Sequence, residues 1–190
     1  MVITDEIARL TELPSQWNGK VEIELMTNRA FGGKTFSCLI RIRADVAATD
    51  LRWPTLFHEA FHCFSVERNA DATLAYIGYE EGVVEQLQRR FRRLLLDRLQ
   101  VSVAEERFVD RDANSAYNDY IYALEQMRQE LGDASPEFYI GLLGTPLEQR
   151  WALMRERIMQ ATQWRRPDLR ERWSRWEQVL CGNEVYDEPR

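Results

Sequence analysis

The sequence predicts an α+β fold that is mostly helical, with a small β-hairpin or sheet near the N-terminus. Two short segments, 21–26 and 35–43, alternate apolar and polar residues, which is typical of β-strands. From residue 71 onward, apolar residues recur at steps of three and four, which is typical of helices. A chain of 190 residues with 45% hydrophobic residues can bury a sizeable core, so we expect a single domain.

The N-terminal part, residues 1–70, contains the predicted sheet. A short helix over residues 1–12 is expected to precede it. The strands Val21–Met26 and Thr35–Arg43 flank a turn at Asn28–Gly33, so we expect them to pair as a hairpin just before the next helix.

The most informative segment follows this hairpin and contains the only two histidines of the chain. His58 and His62 stand four residues apart, and Glu59 follows the first of them. Pro54 suits a first helical turn, and apolar residues lie on nearly all sides of the segment, so we expect a buried helix. Residues at i and i+4 share one helix face, so both imidazoles can reach the same metal ion.

The pattern His-Glu-x-x-His is typical of zinc-dependent peptidases. Glu59 lies about 100° around the helix from His58, so it can stand beside a metal ion without coordinating it. Zinc lowers the pKa of a bound water, and a neighbouring carboxylate takes the proton as that water attacks. Core histidines bonded to backbone carbonyls are the alternative, but that alternative also buries Glu59 in an apolar helix at a cost.

A third metal ligand is needed, because a catalytic zinc usually keeps three protein ligands and one position for water. No third histidine exists, so a carboxylate or a cysteine must supply it. Glu81 is the first candidate, and Glu80 and Glu85 remain alternatives. Glu85 shares a helix face with Glu81, so it could instead accept a hydrogen bond from a ligand histidine and fix its tautomer. Pairing of Glu85 with Arg89 is a further alternative.

The spacing of these residues resembles that of the gluzincin metallopeptidases. In that family His-Glu-x-x-His is followed, eighteen or more residues later, by a glutamate on a second helix. Eighteen residues separate His62 from Glu81, and Gly82 matches a glycine that often follows this glutamate in the aminopeptidase-like branch. The resemblance covers about residues 53–87 and does not single out a subfamily.

The resemblance implies a ligand set, a reaction and a mode of substrate binding. It implies one Zn²⁺ per chain on His58, His62 and Glu81, with Glu59 as the general base of peptide-bond hydrolysis. It also implies that an edge strand near the metal helix, here Thr35–Arg43, pairs with an extended peptide.

Gluzincins also carry a tyrosine or histidine that stabilises the oxyanion of the tetrahedral intermediate. Because no further histidine exists, a tyrosine or an arginine must serve here. Tyr117 is the first candidate and Tyr120 the second, since they lie close to one face at the start of a predicted helix. Ordinary packing is the alternative explanation for either tyrosine.

The C-terminal part, residues 71–190, is predicted to be helical throughout. Trp173 and Trp176 fall on one helix face, so we expect them in the core rather than on a partner surface. Glycine and proline separate the expected helices, which span 80–100, 114–131, 136–143, 146–163 and 167–181.

Composition excludes several other classes of protein. A net charge of −6 and a pI near 5.1 argue against nucleic acid as the main partner. No run approaches 18 apolar residues, so no membrane span is expected, and the N-terminus lacks the features of a signal peptide. The cysteines are three in number and show no pattern, so we expect a reducing compartment, the cytoplasm.

We therefore expect a zinc metallopeptidase that cleaves a narrow range of intracellular proteins or peptides. This range could consist of one dedicated partner protein. The alternative is a zinc-containing interaction module without catalytic activity. The intact Glu59 argues against this alternative, because a pure zinc scaffold does not need a general base.

Overall fold

The computed structural model describes residues 3–25, 32–34, 38–66, 70–135, 137–162 and 167–181. These residues form a mostly helical α+β fold with a small N-terminal sheet, which confirms the predicted fold class. The chain divides into two compact units. The first comprises Met1–Ser65 and Val84–Ser115, and the second comprises Val66–Val83 and Ala116–Arg190.

The sheet of the first unit has three short strands: β1 (Val21–Glu24), β2 (Gly32–Lys34) and β3 (Ile40–Arg43). Strand β3 is central, with β1 parallel to it on one side and β2 antiparallel on the other. The predicted hairpin is therefore wrong in its pairing, because the two expected strands run parallel. The reason is the connection, whose fifteen residues contain β2 and are long enough for a parallel crossover. Parts of the expected strand and turn, Met26–Phe31 and Thr35–Ser37, lie outside the described residues.

The central position of β3 also corrects the expected edge strand. Ile40–Arg43 is hydrogen-bonded on both sides, so this part of Thr35–Arg43 offers no free edge to a peptide. Among the described strands, β1 and β2 are the edges. Strand β1 is largely exposed, and its Ile23 side chain is 66% accessible to solvent.

The core of the first unit forms around helix α3 (Arg52–His62), which packs against helix α1 (Ile3–Thr11) and against β2 and β3. The predicted burial of α3 is confirmed, with Phe57 and Phe61 fully buried. The short helix α2 (Ala44–Ala47) links β3 to this part of the chain. Within the first unit the ring of Phe61 stacks on that of Phe91, with centroids 6.2 Å apart.

The second unit is entirely helical in its described residues. The long predicted helix is α5 (Ile77–Arg98), whose first turns belong to this unit and whose remainder belongs to the first unit. Every predicted C-terminal helix is present, with ends within four residues of the expected positions. Besides α5, they are α7 (Asn118–Glu130), α8 (Glu137–Leu143), α9 (Leu147–Thr162) and α10 (Pro167–Leu180). The short helix α4 (Ala70–Ala75) is not among the predicted helices. After α5, the first unit is completed by a 3-10 helix (Glu105–Phe108) and by α6 (Val109–Ala113).

The C-terminal tryptophans lie in the core of the second unit, as the helical spacing predicts. Trp173 and Trp176 are buried, and Trp151 packs on Trp173 with ring centroids 4.0 Å apart. Gly82 permits a close approach of α7, because a Cβ there would come within 2.9 Å of the side chains of Tyr120 and Leu124. No helix in the described parts of the chain is long and apolar enough to cross a membrane. The three cysteines are free thiols.

Candidate metal centre

Helix α3 presents two buried imidazoles on one face. The Nε2 atoms of His58 and His62 lie 3.2 Å apart, and the two rings meet edge to face. Two nitrogens that each lie about 2.0–2.1 Å from a tetrahedral zinc ion are separated by about 3.3 Å. The two histidines are therefore already spaced as ligands of one metal ion, and the four-residue spacing on a single helix is the reason.

Glu81 completes a group that could hold a metal ion. The ligand atoms of His58, His62 and Glu81 all lie within 4.8 Å of one another. Both histidines are buried and Glu81 is half-buried. These are the same three residues that the sequence predicts as ligands, and as a group they could hold a metal ion. Two imidazole nitrogens and one carboxylate oxygen form a donor set that suits several divalent transition metals.

Glu80, an alternative third ligand, has a different partner. Its carboxylate accepts a hydrogen bond from Nη1 of Arg150 at 3.0 Å, and both side chains are completely buried in the second unit. Arg150 also donates to the backbone oxygens of Thr145 and Leu143. Glu80 is therefore part of a buried ion pair that anchors the first turn of α5 to α9.

Glu85, the other alternative, lies behind His58 in the first unit. Nδ1 of His58 is 2.9 Å from Oε2 of Glu85, whose carboxylate is fully buried. An ionised carboxylate can only accept hydrogen bonds, so His58 carries its proton on Nδ1 and keeps the lone pair of Nε2 free to bind a metal ion. Burial alone would raise the pKa of Glu85, but the hydrogen bond from His58 and the charge of Arg111 offset burial and lower that pKa below its ordinary value.

Glu59 is also buried, one position after His58 on α3. The next residue after the motif, Cys63, donates from Sγ to the backbone oxygen of Glu59 at 3.5 Å. A hydrogen bond with Cys38 and burial raise the pKa of Cys63 far above its ordinary value. The Sγ atom of Cys63 therefore faces backbone oxygens of the core, and Cys63 is not in the group of described residues that could hold a metal ion.

The two candidate oxyanion residues lie at the start of α7 in the second unit. Tyr117 immediately precedes this helix, and its ring stacks on that of Tyr120 with centroids 6.3 Å apart. Both side chains are half-buried. Tyr120 lies against Gly82, the residue that follows Glu81, so it is the tyrosine that packs directly on α5 beside the candidate ligand.

Sequence reasoning misses the two arginines that bind the alternative ligands Glu80 and Glu85. Arg111 donates to Glu85, and Arg150 donates to Glu80, across 26 and 70 residues of chain. Neither arginine stands at a helical spacing from its partner, so no sequence pattern signals these contacts.

Comparison of this chain with family models, with characterised proteins and with solved structures finds no match. The chemistry of the site therefore has to be inferred from the geometry of its own residues.

Proposed function

We propose that this protein is a zinc-dependent metallopeptidase of gluzincin type. The observation that carries the proposal is the pair of buried imidazoles, whose Nε2 atoms are 3.2 Å apart. The contact of Glu85 with His58 adds support, because ligand histidines in zinc sites usually donate their other ring N–H to a carboxylate or a carbonyl. The grouping of Glu81 with both histidines supplies the third ligand that such a centre needs.

An open centre fits the described residues better than a closed structural one. A structural zinc site is usually closed by four protein ligands, whereas the group found in the described part of the chain has three. The two neighbouring glutamates that could have closed it are engaged elsewhere: Glu80 with Arg150, and Glu85 with His58. This arrangement supports catalysis over the alternative of an inactive interaction module.

In the proposed reaction each residue has a separate role. Zinc, when bound, supplies the Lewis acid that brings the pKa of a coordinated water towards neutrality. Glu59 takes the proton of the attacking water on its carboxylate and later passes it to the leaving amine. Tyr117 or Tyr120 donates a hydrogen bond from its hydroxyl to the oxyanion, and the contact of Tyr120 with Gly82 favours Tyr120.

We further propose a narrow substrate range, with a protein or peptide substrate in a reducing compartment such as the cytoplasm. The three free thiols support the compartment. The central position of β3 means that a peptide pairing with this sheet would have to use β1 or β2.

The decisive experiment compares the wild type with Glu59→Gln on a quenched-fluorescence peptide library. Both proteins are loaded with zinc, and metal content is measured by elemental analysis. The variant should retain about one zinc per chain while turnover falls by at least about 100-fold, since a general base contributes about 10²–10⁴ in rate. Equal turnover in the two proteins would exclude Glu59 as the base. Zinc binding without cleavage of any peptide by the wild type would favour the interaction module.

A further inference from the structure

The buried carboxylate of Glu85 is held on both of its oxygens. Oε2 faces Nδ1 of His58 at 2.9 Å. Oε1 accepts hydrogen bonds from Nε of Arg89 and from Nη1 of Arg111, both at 2.9 Å. Arg89 lies one turn further along α5, whereas Arg111 comes from α6, a separate segment of the first unit. Arg111 therefore fixes the carboxylate from outside the helix that carries it.

Helix α6 is held on α5 by contacts that do not involve Glu85. Asp112 accepts hydrogen bonds from Nη2 of Arg92 at 2.8 and 3.0 Å, and the Arg92 side chain is almost fully buried. The guanidinium of Arg92 also lies over the ring of Phe108, 5.0 Å from its centroid. Helix α6 is therefore docked on α5 by two separate sets of contacts, those of Arg92 with Asp112 and those of Arg111 with Glu85.

We propose that Arg111 is a positioning residue of the metal centre, which acts through Glu85 on His58. By binding Oε1, Arg111 keeps Oε2 directed at Nδ1 of His58, and so keeps the Nε2 lone pair of that imidazole aimed at the ion. This inference rests on the proposed metal centre and extends it to a residue that touches neither metal nor substrate. The planar guanidinium suits this role, because its Nη2 also lies 3.5 Å from Oε2 and so spans both oxygens.

The test measures metal affinity rather than peptidase activity. The apparent dissociation constant for Zn²⁺ is measured by competition with a chromogenic chelator, for the wild type, Arg111→Met and Arg111→Lys. Loss of the residue that hydrogen-bonds a metal ligand, here Glu85, typically weakens binding by about 10–100-fold. Arg111→Met leaves Glu85 in place and removes only its support, so we expect a loss at the lower end of this range, about 10-fold. Arg111→Lys should recover part of the loss, because an ammonium can bind Oε1 but cannot span both oxygens. The visible absorption of the Co²⁺-loaded protein should change in the same order.

Arg92→Met is the matched control. It removes a buried arginine from the contact between α5 and α6, but Arg92 has no contact with Glu85. Its melting temperature should fall as much as that of Arg111→Met, while its affinity for Zn²⁺ stays within about threefold of the wild type, since every hydrogen bond to Glu85 is kept.

Two outcomes would overturn this inference alone. One is an Arg111→Met variant that melts at a lower temperature but keeps wild-type affinity and an unchanged Co²⁺ spectrum. The other is an Arg92→Met variant that loses as much affinity as Arg111→Met, because affinity would then follow the docking of α6 and not the contact with Glu85. A wild type that binds no Zn²⁺, or binds it equally after His58→Ala, would instead overturn the proposed function itself.

Discussion

His58 and His62 point their Nε2 atoms at each other across 3.2 Å, and Glu85 holds the His58 ring from the opposite side. Without a metal ion, only one of two neutral imidazoles in this arrangement can donate a hydrogen bond to the other. With a metal ion, both lone pairs are used. The 3.2 Å separation therefore fits a single hydrogen bond in the metal-free protein and also two ligands of one metal ion.

We predict that zinc stabilises the folded protein. At a free zinc concentration about 100 times the dissociation constant, the free energy of unfolding should rise by about 2.7 kcal/mol. Thermal unfolding with and without zinc, and after chelation by EDTA, measures this shift. The shift should disappear in His62→Ala, which removes one of the two nitrogens. An equal shift in His62→Ala would place the bound ion elsewhere.

Three helical glycines of the second unit should respond differently to alanine. At Gly78 a Cβ would lie 2.7 Å from Cα of Leu180 and 2.8 Å from the backbone oxygen of Val179, so Gly78→Ala should destabilise by about 1–3 kcal/mol. Gly141 in α8 has nothing within 4 Å of such a Cβ, so Gly141→Ala should stabilise by about 0.5–1 kcal/mol. Urea unfolding measures both changes in free energy.

Gly82→Ala should fall between these two variants. Its Cβ would meet Cδ1 of Leu124 and Cβ of Tyr120 at 2.9 Å, and the nearest backbone atom, the carbonyl carbon of Tyr120, would lie at 3.3 Å, further away than the backbone atoms that face Gly78. A Gly82→Ala variant that costs more than Gly78→Ala would contradict the close backbone approach at Gly78.

The fold class could be predicted because periodicity is a local property. The alternation in Val21–Met26 and the helical steps after residue 71 depend only on neighbouring residues, and both elements are present. Strand pairing depends on residues far apart in sequence. Nothing in the alternation of Ile40–Arg43 indicates that β1 would pair with it in parallel, or that Gly32–Lys34 would form a third strand.

The candidate site likewise has one part that the sequence predicts and one part that it does not. The spacing of His58 and His62 follows from a single helix turn, so the sequence alone predicts that they converge. The sequence does not show whether Glu80, Glu81 or Glu85 joins them, because this depends on the rotation of α5, and two arginines from other helices constrain that rotation. Arg150 binds Glu80 and Arg111 binds Glu85. These arginines come from distant segments and leave no signature in the local sequence.

We predict that the thiols react slowly in the native protein. Burial, with a smaller contribution from the charge of Glu177, raises the pKa of Cys181 to about 12. A raised pKa keeps the thiol protonated, so at pH 8 only about one molecule in ten thousand carries the reactive thiolate. Cys63 is fully buried and its pKa is raised further.

Labelling with a thiol-specific disulfide reagent at pH 8 checks this prediction. All three cysteines should react rapidly in guanidinium chloride and slowly in buffer. Glu177→Gln should speed the labelling of Cys181 modestly, because it removes a nearby negative charge. Rapid labelling of the native wild type would show that these thiols are not held as the structure describes.

The adjacent residues Glu80 and Glu81 should give opposite phenotypes. Glu81→Gln replaces a candidate metal ligand with a weak one. Zinc affinity should therefore fall by more than about 100-fold, which is the largest loss typical of removing a residue that only hydrogen-bonds a ligand. The melting temperature of the metal-free protein should change little, because Glu81 is half-buried. Glu80→Gln leaves Arg150 charged and fully buried without its carboxylate, which should cost about 3–5 kcal/mol of stability.

Zinc affinity of folded Glu80→Gln should stay within about threefold of the wild type, because Glu80 is not among the grouped ligand atoms and no outer partner of a ligand is lost. Chelator competition measures zinc affinity, and thermal unfolding measures stability. Both are run on Glu80→Gln, on Glu81→Gln and on the double variant Glu80→Gln with Arg150→Met. The double variant removes both buried charges and should recover part of the lost stability without changing zinc affinity. If Glu80→Gln lost zinc and Glu81→Gln kept it, the third ligand would be Glu80, and helix α5 would have to be rotated relative to the arrangement described here.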